Sequence, residues 1–219
     1  MLHDKIILMI VAILADEVIK AEILEKGTDS SAEIIWADSM QSLRIIEADA
    51  YFDLLFEYDK ERISRLKFML PKPVFVNSVT YTCRDISAGL FRINAWPTMI
   101  NRKIIEVAVA QNTQLEDKVQ TIFDGLGWVF QYVPDVIGMI TPRIVSMIIN
   151  EAWFSLNEKV STREEIDTAM KLGTNYPYGP FEWGDKIGLH RIRQLLTELQ
   201  NADNRYTIAP GLDGEFKWH

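Results

Sequence analysis

Cysteine, long apolar runs and blocks of positive charge are all scarce in this sequence. The single cysteine, Cys83, excludes an internal disulfide bond and a zinc site of several cysteines, and it is typical of a reducing compartment. We interpret it as a small hydrophobic residue at the end of a strand. The longest uncharged apolar run, residues 6–15, has about half the length that a membrane-spanning helix needs. We therefore predict no membrane span.

The flanks of this apolar run also argue against a signal peptide. Such a peptide would carry basic residues before the run and small residues at a cleavage site after it, whereas His3, Asp4 and Lys5 precede the run and Asp16 and Glu17 follow it. The net charge of -8 leaves no basic stripe for the phosphates of a nucleic acid. We expect a cytoplasmic protein that binds neither nucleic acid nor membrane.

What the sequence does contain is a globular composition, with 48% hydrophobic and 25% charged residues among 219. Up to about residue 133, short apolar runs alternate with charged segments of helical character. This alternation predicts a mostly parallel, Rossmann-like sheet covered by helices on both faces. The predicted strands are residues 5–12, 32–37, 50–56, 74–76 and 104–110, and the predicted helices are 16–26, 59–70 and 115–125.

From residue 134 onward the pattern becomes helical. Apolar residues recur at helical spacing between Ile137 and Ser155, which predicts one long helix. A second helix is predicted to begin at residues 161–164 (STRE) through a capping box and to end at Gly173, and a third covers residues 190–199. We thus predict two domains, residues 1–133 and 134–219.

Three segments of the helical half carry a resemblance to a known family. Residues 166–173 (IDTAMKLG), 175–182 (NYPYGPFE) and 185–189 (DKIGL) resemble the C-terminal domain of 3-hydroxyacyl-CoA dehydrogenases, and Glu106 lies in a segment that resembles the family's Leu-Val-Glu-Val strand. The resemblance implies an N-terminal NAD domain, an acyl-CoA cleft and a homodimer formed through the helical domain. Within these segments Asp167 and Asp185 are interpreted as structural residues that cap or pair locally.

The glycines that an NAD site requires are missing. A dinucleotide needs a glycine-rich turn after the first strand, so that the backbone can approach the diphosphate. Alignment with the family places Val11, Ile13 and Asp16 at the three glycine positions. The side chains of Val11 and Ile13 would obstruct the diphosphate there, and the carboxylate of Asp16 would repel it. Asp38 is a candidate for the acidic residue that holds the ribose. We expect no cofactor to be bound in the usual mode.

The general base of the family is also missing. Hydride removal from a 3-hydroxyl needs a base that titrates near neutral pH, for which histidine is suited. The three histidines are His3, His190 and His219, and none matches the family's His-Phe-Phe-Asn-Pro motif, which here reads RINAWP at residues 92–97. Depending on a one-residue gap, Ile93 or Asn94 replaces the base.

The remaining site positions are mostly altered as well. Glu106 matches the glutamate that orients the base and is the one catalytic position retained, as a vestigial or structural acid. Val79 replaces the substrate-binding serine, and Pro142 replaces a site asparagine. Other residues that could line an acyl-CoA cleft are Ser78, Thr80, Asn94 and Arg143, and the last of these could bind an anion or pair with an acid.

Three functional hypotheses follow from this pattern. The leading one is a degenerate family member, a pseudoenzyme without ordinary NAD-dependent turnover, retained as a dimeric acyl-CoA-binding, regulatory or scaffold protein. The alternative is an active 3-hydroxyacyl-CoA (3-hydroxybutyryl-CoA) dehydrogenase, or a related acyl-CoA enzyme of fatty acid metabolism that acts through Glu106. The third is a structural subunit whose cleft is filled by its own side chains. Fold alone cannot separate them.

Overall fold

The computed structural model describes residues 9–110 and 116–212. The chain divides into two compact units, Met1–Met139 and Ile140–His219, which we call the sheet unit and the helical unit. None of the helices in the described ranges combines the length and the hydropathy that a membrane span requires.

The sheet unit contains a seven-stranded sheet with the order β2-β1-β3-β4-β5-β6-β7. All neighbouring strands are parallel except β5 and β6, which are antiparallel. The predicted Rossmann-like class is confirmed. Its strands are β1 Met9–Leu14, β2 Ala32–Ala37, β3 Ala50–Asp53, β4 Val74–Asn77, β5 Phe91–Ile93, β6 Ile104–Ala108 and β7 Val129–Tyr132, and its helices are α1 Glu17–Lys26, α2 Met40–Ile45, α3 Lys60–Lys67, α4 Cys83–Ile86 and α5 Glu116–Leu126.

The continuous apolar pattern of β1 follows from its central position. Val11 and Ile13 belong to the hydrophobic cluster on one face of the sheet, whereas Ala12 and Leu14 belong to the cluster on the other face. A strand that is buried on both faces needs apolar residues at every position. Residues 5–8 of the predicted strand and Leu115 of a predicted helix lie outside the described residues.

Two strands were not predicted, and both are atypical. β5 is three residues long and has a buried arginine, Arg92, at its centre. β7 is largely exposed, with Val129 at 52% and Tyr132 at 38% relative exposure. Neither segment shows the apolar run or the regular alternation on which strand prediction depends. The short helices α2 and α4 were missed as well.

The helical unit consists of α6 Thr141–Asn157, α7 Arg163–Thr174, α8 Pro180–Ile187, α9 Leu189–Ala202 and a short 3-10 helix, Asn204–Tyr206. The capping box at the start of α7 is shifted by one residue from the prediction, because it pairs Thr162 with Glu165. The prediction that this helix ends at Gly173 is wrong. Asn175 takes the left-handed conformation after Thr174, since asparagine tolerates positive φ better than most residues.

Candidate functional site

The turn between β1 and α1 consists of Ala15 and Asp16 alone. Asp16 is the N-cap of α1, and its Oδ1 accepts a hydrogen bond from the amide of Ile19 at 2.9 Å. In a dinucleotide site, the diphosphate oxygens would accept hydrogen bonds from such amides at the helix N-terminus. In this protein a carboxylate holds that position, so the residues present do not fit an NAD diphosphate.

The positions of Val11 and Ile13 require a correction. Both lie inside β1, pair with β2 and β3, and are fully buried. The prediction that their side chains obstruct a diphosphate is therefore wrong, because they lie within the sheet and not in the turn that follows it. Asp38 directly follows β2 and is exposed, as its place in the sequence suggested.

Asn94 and Glu106 lie together where β5 ends beside β6. The Asn94 amide group donates to Glu106 Oε2 at 3.4 Å, and the Asn94 backbone amide donates to the Glu106 carbonyl at 3.2 Å. Asn94 is buried and Glu106 is half-buried. Ile93 instead packs in the hydrophobic core of the sheet unit. Of the two residues that could replace the base, the structure thus places Asn94 against the glutamate.

Asn77 fixes the ends of three strands around this pair, a role that the sequence did not reveal. Its Oδ1 accepts from the amide of Ala95 at 3.0 Å, and its Nδ2 donates to the carbonyl of Leu54 at 3.2 Å. The side chain therefore links the carboxyl ends of β3, β4 and β5 next to Asn94. A polar residue at the end of a buried apolar strand was the available signal for such a role.

The hydroxyl residues after β4 differ in their surroundings. Ser78 is buried, and its Oγ donates to the carbonyl of Tyr81 at 3.0 Å within its own loop. Val79 is also buried, whereas Thr80 is half-buried. The Ser78 hydroxyl therefore stabilises the loop in this structure.

Beneath this loop lies a buried ion pair between Arg92 and Asp135. The Arg92 guanidinium is fully buried, forms a salt bridge with Asp135, and donates to the carbonyls of Ser78 and Val79 at 2.9 and 3.2 Å. Asp135 also accepts from the amide of Cys83 at 2.9 Å. Since Arg92 stands in the degraded family motif, sequence comparison gave no sign that its charge holds the loop.

Cys83 is buried, as suits a small hydrophobic residue, but the predicted position at a strand end is wrong, because Cys83 is the first residue of helix α4. Burial, together with the nearby negative charge of Asp135, raises the pKa of its thiol to about 12. The thiol is therefore protonated at neutral pH and is a poor nucleophile. Among the described residues, no group of three or more acidic, histidine or cysteine side chains is arranged to hold a metal ion.

In the helical unit, Arg143 lies in the first turn of α6 and contacts Tyr206. Its Nη1 donates to the tyrosine hydroxyl at 3.3 Å, and its guanidinium lies 5.8 Å from the ring centroid. Pro142 is buried in the same turn, and His190 lies in α9. His3 and His219 fall outside the described residues.

An open groove runs along α6 in this unit and has a volume of about 580 Å³. Its walls are mainly apolar, with Ile144, Met147 and Ile148 on α6 and Ile166 and Met170 on α7. Three charged residues also line it, namely Arg143, Glu151 and Arg205. We call it the α6 groove.

Asp167 and Asp185 have the structural roles that were predicted. Asp167 accepts from the amides of Phe181 and Glu182, at 2.8 and 3.2 Å, and thereby caps the start of α8 from the neighbouring helix α7. Asp185 forms a salt bridge with Arg163 at 3.3 Å. Both carboxylates thus serve the fold of the helical unit.

Comparisons with known proteins converge on one family. Residues 138–217 match the 3-hydroxyacyl-CoA dehydrogenase C-terminal domain. A 3-hydroxyadipyl-CoA dehydrogenase of Escherichia coli (strain K12) is 49% identical over 76 residues, which are 34% of this chain and 16% of that protein. A 3-hydroxybutyryl-CoA dehydrogenase of Clostridioides difficile is 35% identical over 130 residues, 58% of this chain and 45% of that one. The chain thus spans less than half the length of these relatives.

Solved structures show the same fold over nearly the whole chain. An (S)-3-hydroxybutyryl-CoA dehydrogenase from Ralstonia eutropha superimposes with a TM-score of 0.72, covering 94% of this chain and 93% of that one. The sequence identity is 18%. This likeness therefore concerns the fold alone.

Proposed function

Because this chain belongs to the 3-hydroxyacyl-CoA dehydrogenase family, we propose that it retains the family scaffold as a dimeric acyl-CoA-binding protein with a regulatory or scaffolding role. In this proposal it carries out no ordinary NAD-dependent oxidation of 3-hydroxyacyl-CoA. The relatives named above are dehydrogenases of hydroxyacyl-CoA substrates, and the proposed ligand is taken from that class.

The observation that carries the proposal is the Asn94–Glu106 pair. Oxidation of a 3-hydroxyl requires a group that accepts its proton as hydride leaves, and an amide does not titrate near neutral pH. A carboxylate beside a histidine orients the ring and raises its basicity, but beside Asn94 it can only accept a hydrogen bond. Loss of a general base typically lowers a rate by about a hundredfold to ten-thousandfold.

The β1–α1 turn supports the same conclusion independently. The Asp16 carboxylate already satisfies an amide at the N-terminus of α1 and places a negative charge where a diphosphate would bind. Two unrelated parts of the site thus oppose ordinary turnover, one at the cofactor and the other at the proton acceptor.

Dimer formation is proposed through the α6 groove. Arg143 and Glu151 lie about one helical turn before and after Met147, with apolar residues between them. An antiparallel pair of α6 helices with its two-fold axis at Met147 would place Arg143 against Glu151 of the partner subunit. The two α6 faces are then complementary in charge.

The test is an assay of NAD-dependent oxidation of 3-hydroxybutyryl-CoA together with calorimetric titration of NADH and acyl-CoAs. We expect no turnover above background, no NADH binding and measurable acyl-CoA binding. Turnover at ordinary enzyme rates that Glu106→Gln abolishes would overturn the proposal in favour of an active enzyme with an altered site. Absence of any acyl-CoA binding would favour a purely structural subunit.

A further inference from the structure

Strand β2 forms one edge of the seven-stranded sheet. It pairs with β1 on one side, and within residues 9–110 and 116–212 no strand pairs with its other side. With six residues, β2 is as long as the central strand β1. A strand at the edge of a sheet presents peptide groups to which a further strand can bond.

The register of β2 against β1 shows which of its peptide groups face outward. The amide of Met9 donates to the carbonyl of Ser31 at 2.9 Å, and Met9 pairs with Ala32. In a parallel ladder this pattern turns the odd-numbered residues of β2 towards β1. The N–H and C=O groups of Ile34 and Trp36 therefore point away from the sheet, where another strand can bond to them.

The sequence of β2 does little to protect this edge. Soluble proteins usually protect a sheet edge with a very short strand, a proline, a bulge or several charges. β2 reads AEIIWA, in which Glu33 is the one charged residue. The edge strand at the other end of the sheet, β7, has only four residues, and Pro134 follows it closely. β2 is thus the edge that is better suited to pairing.

The apolar side chains of β2 are only partly covered. Ile34, Ile35 and Trp36 are all half-buried. Ile34 and Trp36 pack at the margin of the hydrophobic cluster on one face of the sheet, where Lys20 lies over the Trp36 ring at 5.4 Å from its centroid. Ile35 lies on the other face, because side chains alternate along a strand. A further strand beside β2 would cover more of all three side chains.

The central residues of β2 are complementary to a second copy of the same strand. In an antiparallel pair with its two-fold axis at Ile35, the outward groups of Ile34 bond to those of Trp36 of the partner subunit. The aliphatic and aromatic side chains of these two residues then lie beside each other, a favourable cross-strand combination. The two Ile35 side chains meet at the axis on the other face.

The same register keeps the negative charges of the two copies apart. Glu33 lies opposite Ala37 of the partner subunit, and Asp38, which follows the strand, lies opposite the partner's Ala32. Like charges that face each other directly would destabilise a strand pair. The register therefore avoids local repulsion, although each copy has a net charge of -8.

We propose that β2 pairs antiparallel with β2 of a second copy about a two-fold axis at Ile35. This β2 contact lies in the sheet unit and is additional to the proposed α6 contact in the helical unit. A chain with both contacts links more than two copies, as a scaffolding role requires. Two strands of six residues bury little surface, so the β2 contact is weak and forms at concentrations on the order of 100 μM.

The test is disulfide formation at the axis in the full chain. The two residues at the axis form a non-hydrogen-bonded pair with Cα atoms about 4.5 Å apart, a distance that a disulfide can span. We expect Ile35→Cys chains to oxidise to covalent dimers. Cys83 is buried and has a thiol pKa of about 12, so the wild type gives the background rate.

Ile34→Cys is the control for the register. Its two copies would be diagonal neighbours about 7 to 8 Å apart, which is too far for an unstrained disulfide. We expect Ile34→Cys chains to cross-link about tenfold more slowly than Ile35→Cys chains. Circular dichroism of both variants confirms that each is folded.

Ile35→Lys tests the contact without a covalent bond. Two lysines would face each other at the axis, so light scattering at high concentration should show the loss of species larger than a dimer. Val18→Lys, at a site on α1 that is 56% exposed, should preserve these species. A mixture of Ile35→Lys and Ile35→Glu should restore them, because opposite charges then meet.

An Arg143→Glu background separates the β2 contact from the proposed dimer, since it weakens the α6 contact and leaves β2 unchanged. Ile35→Cys cross-linking that persists in this background supports the β2 contact independently of the α6 contact. Ile35→Cys chains that cross-link no faster than Ile34→Cys chains would overturn the β2 contact and leave the proposed function standing. Species larger than a dimer that survive Ile35→Lys would also overturn it.

Discussion

Glu22 shows how a single side chain can oppose folding while it orders a loop. One of its carboxylate oxygens accepts from the amide of Thr98 at 2.6 Å, and Thr98 has a positive φ of 72°. The other oxygen is buried without a hydrogen-bond partner. Desolvation therefore raises the pKa of Glu22 above its usual value of 4.5, despite the backbone amides that lower it.

The raised pKa of Glu22 predicts a pH-dependent stability. The charged form is disfavoured by the fold, so the penalty is absent well below pH 4.5 and is fully present once the pH exceeds the folded pKa. We expect Glu22→Gln to gain stability relative to the wild type as the pH rises from about 4 to 7. Urea unfolding across this range measures the difference.

Glu182→Gln is the control, because its change in stability with pH should have the opposite sign to that of Glu22→Gln. The hydrogen bond from Lys171 lowers the pKa of Glu182, so this carboxyl stabilises the fold above its unfolded pKa, and that stability is lost as the pH falls. The glutamine variant should therefore lose stability relative to the wild type over the same rise in pH. A Glu22→Gln difference that does not vary with pH would contradict the desolvation argument.

The buried Arg92 supplies a second prediction for single side chains. Asp135→Ala would leave the guanidinium buried without its counter-ion, and we expect the free energy of unfolding to fall by about 3 kcal/mol or more. Glu61→Gln, which breaks the exposed pair with Arg65, should cost less than about 1 kcal/mol. Equal effects of the two changes would show that Arg92 finds other partners or water.

Among the helices, two glycines near the junction of α7 and α8 differ in whether the fold requires them. A Cβ on Gly179 would stand 2.3 Å from the side chain of Asp167, the residue that caps α8. A Cβ on Gly173, inside α7, would meet nothing within 4 Å. The resemblance to the family covers both glycines, but only the structure shows that one is required and the other is not.

Alanine substitutions at the two glycines should therefore change stability in opposite directions. Gly173→Ala should raise the free energy of unfolding by about 0.5 to 1 kcal/mol, since alanine is a better helix former. Gly179→Ala should lower it by about 2 kcal/mol or more, because Asp167 must move away from the amides that it caps. Thermal unfolding of both variants tests the pair, and a stabilising Gly179→Ala would show that Asp167 can shift without loss.

On the scale of the whole molecule, the proposed dimer depends on the exposed face of α6. Ile144 on this helix and Ile140 at its N-cap are 55% and 43% exposed, although they are large aliphatic residues. Exposed apolar surface next to a groove marks an interaction site in soluble proteins. The net charge of -8 opposes close association of two copies, so local charge complementarity has to fix the contact.

The proposed two-fold contact predicts a specific rescue. Arg143→Glu and Glu151→Arg each place like charges against each other twice per dimer, and we expect either variant to weaken the dimer by about tenfold or more. A mixture of the two variants restores opposite charges at both contacts, so a heterodimer should form. Light scattering and native mass spectrometry distinguish these species.

Circular dichroism of each single variant serves as the control for folding. Two folded variants that remain monomeric after mixing would contradict the antiparallel α6 contact. A wild-type chain that is monomeric at micromolar concentration would contradict dimer formation altogether.

The sequence by itself determined the fold class and most of the elements. Apolar runs such as β1, buried on both faces, and capped amphipathic helices such as α7 are local patterns that follow from the hydrophobic effect and from backbone hydrogen bonding. The sequence also showed that the segment RINAWP, which stands where the family has its His-Phe-Phe-Asn-Pro motif, contains no histidine. These properties depend on residues close together in the chain.

Contacts between distant residues could not be obtained in this way. The placement of Asn94 against Glu106, the link from Asn77 to Leu54 and the burial of Arg92 beside Asp135 join separate strands and loops. The assignment of Val11 and Ile13 to a glycine turn failed for the same reason, because the end of a strand is set by its pairing with β2 and β3. Long-range pairing and desolvation arise only when the chain is packed, and they fix which polar side chains meet.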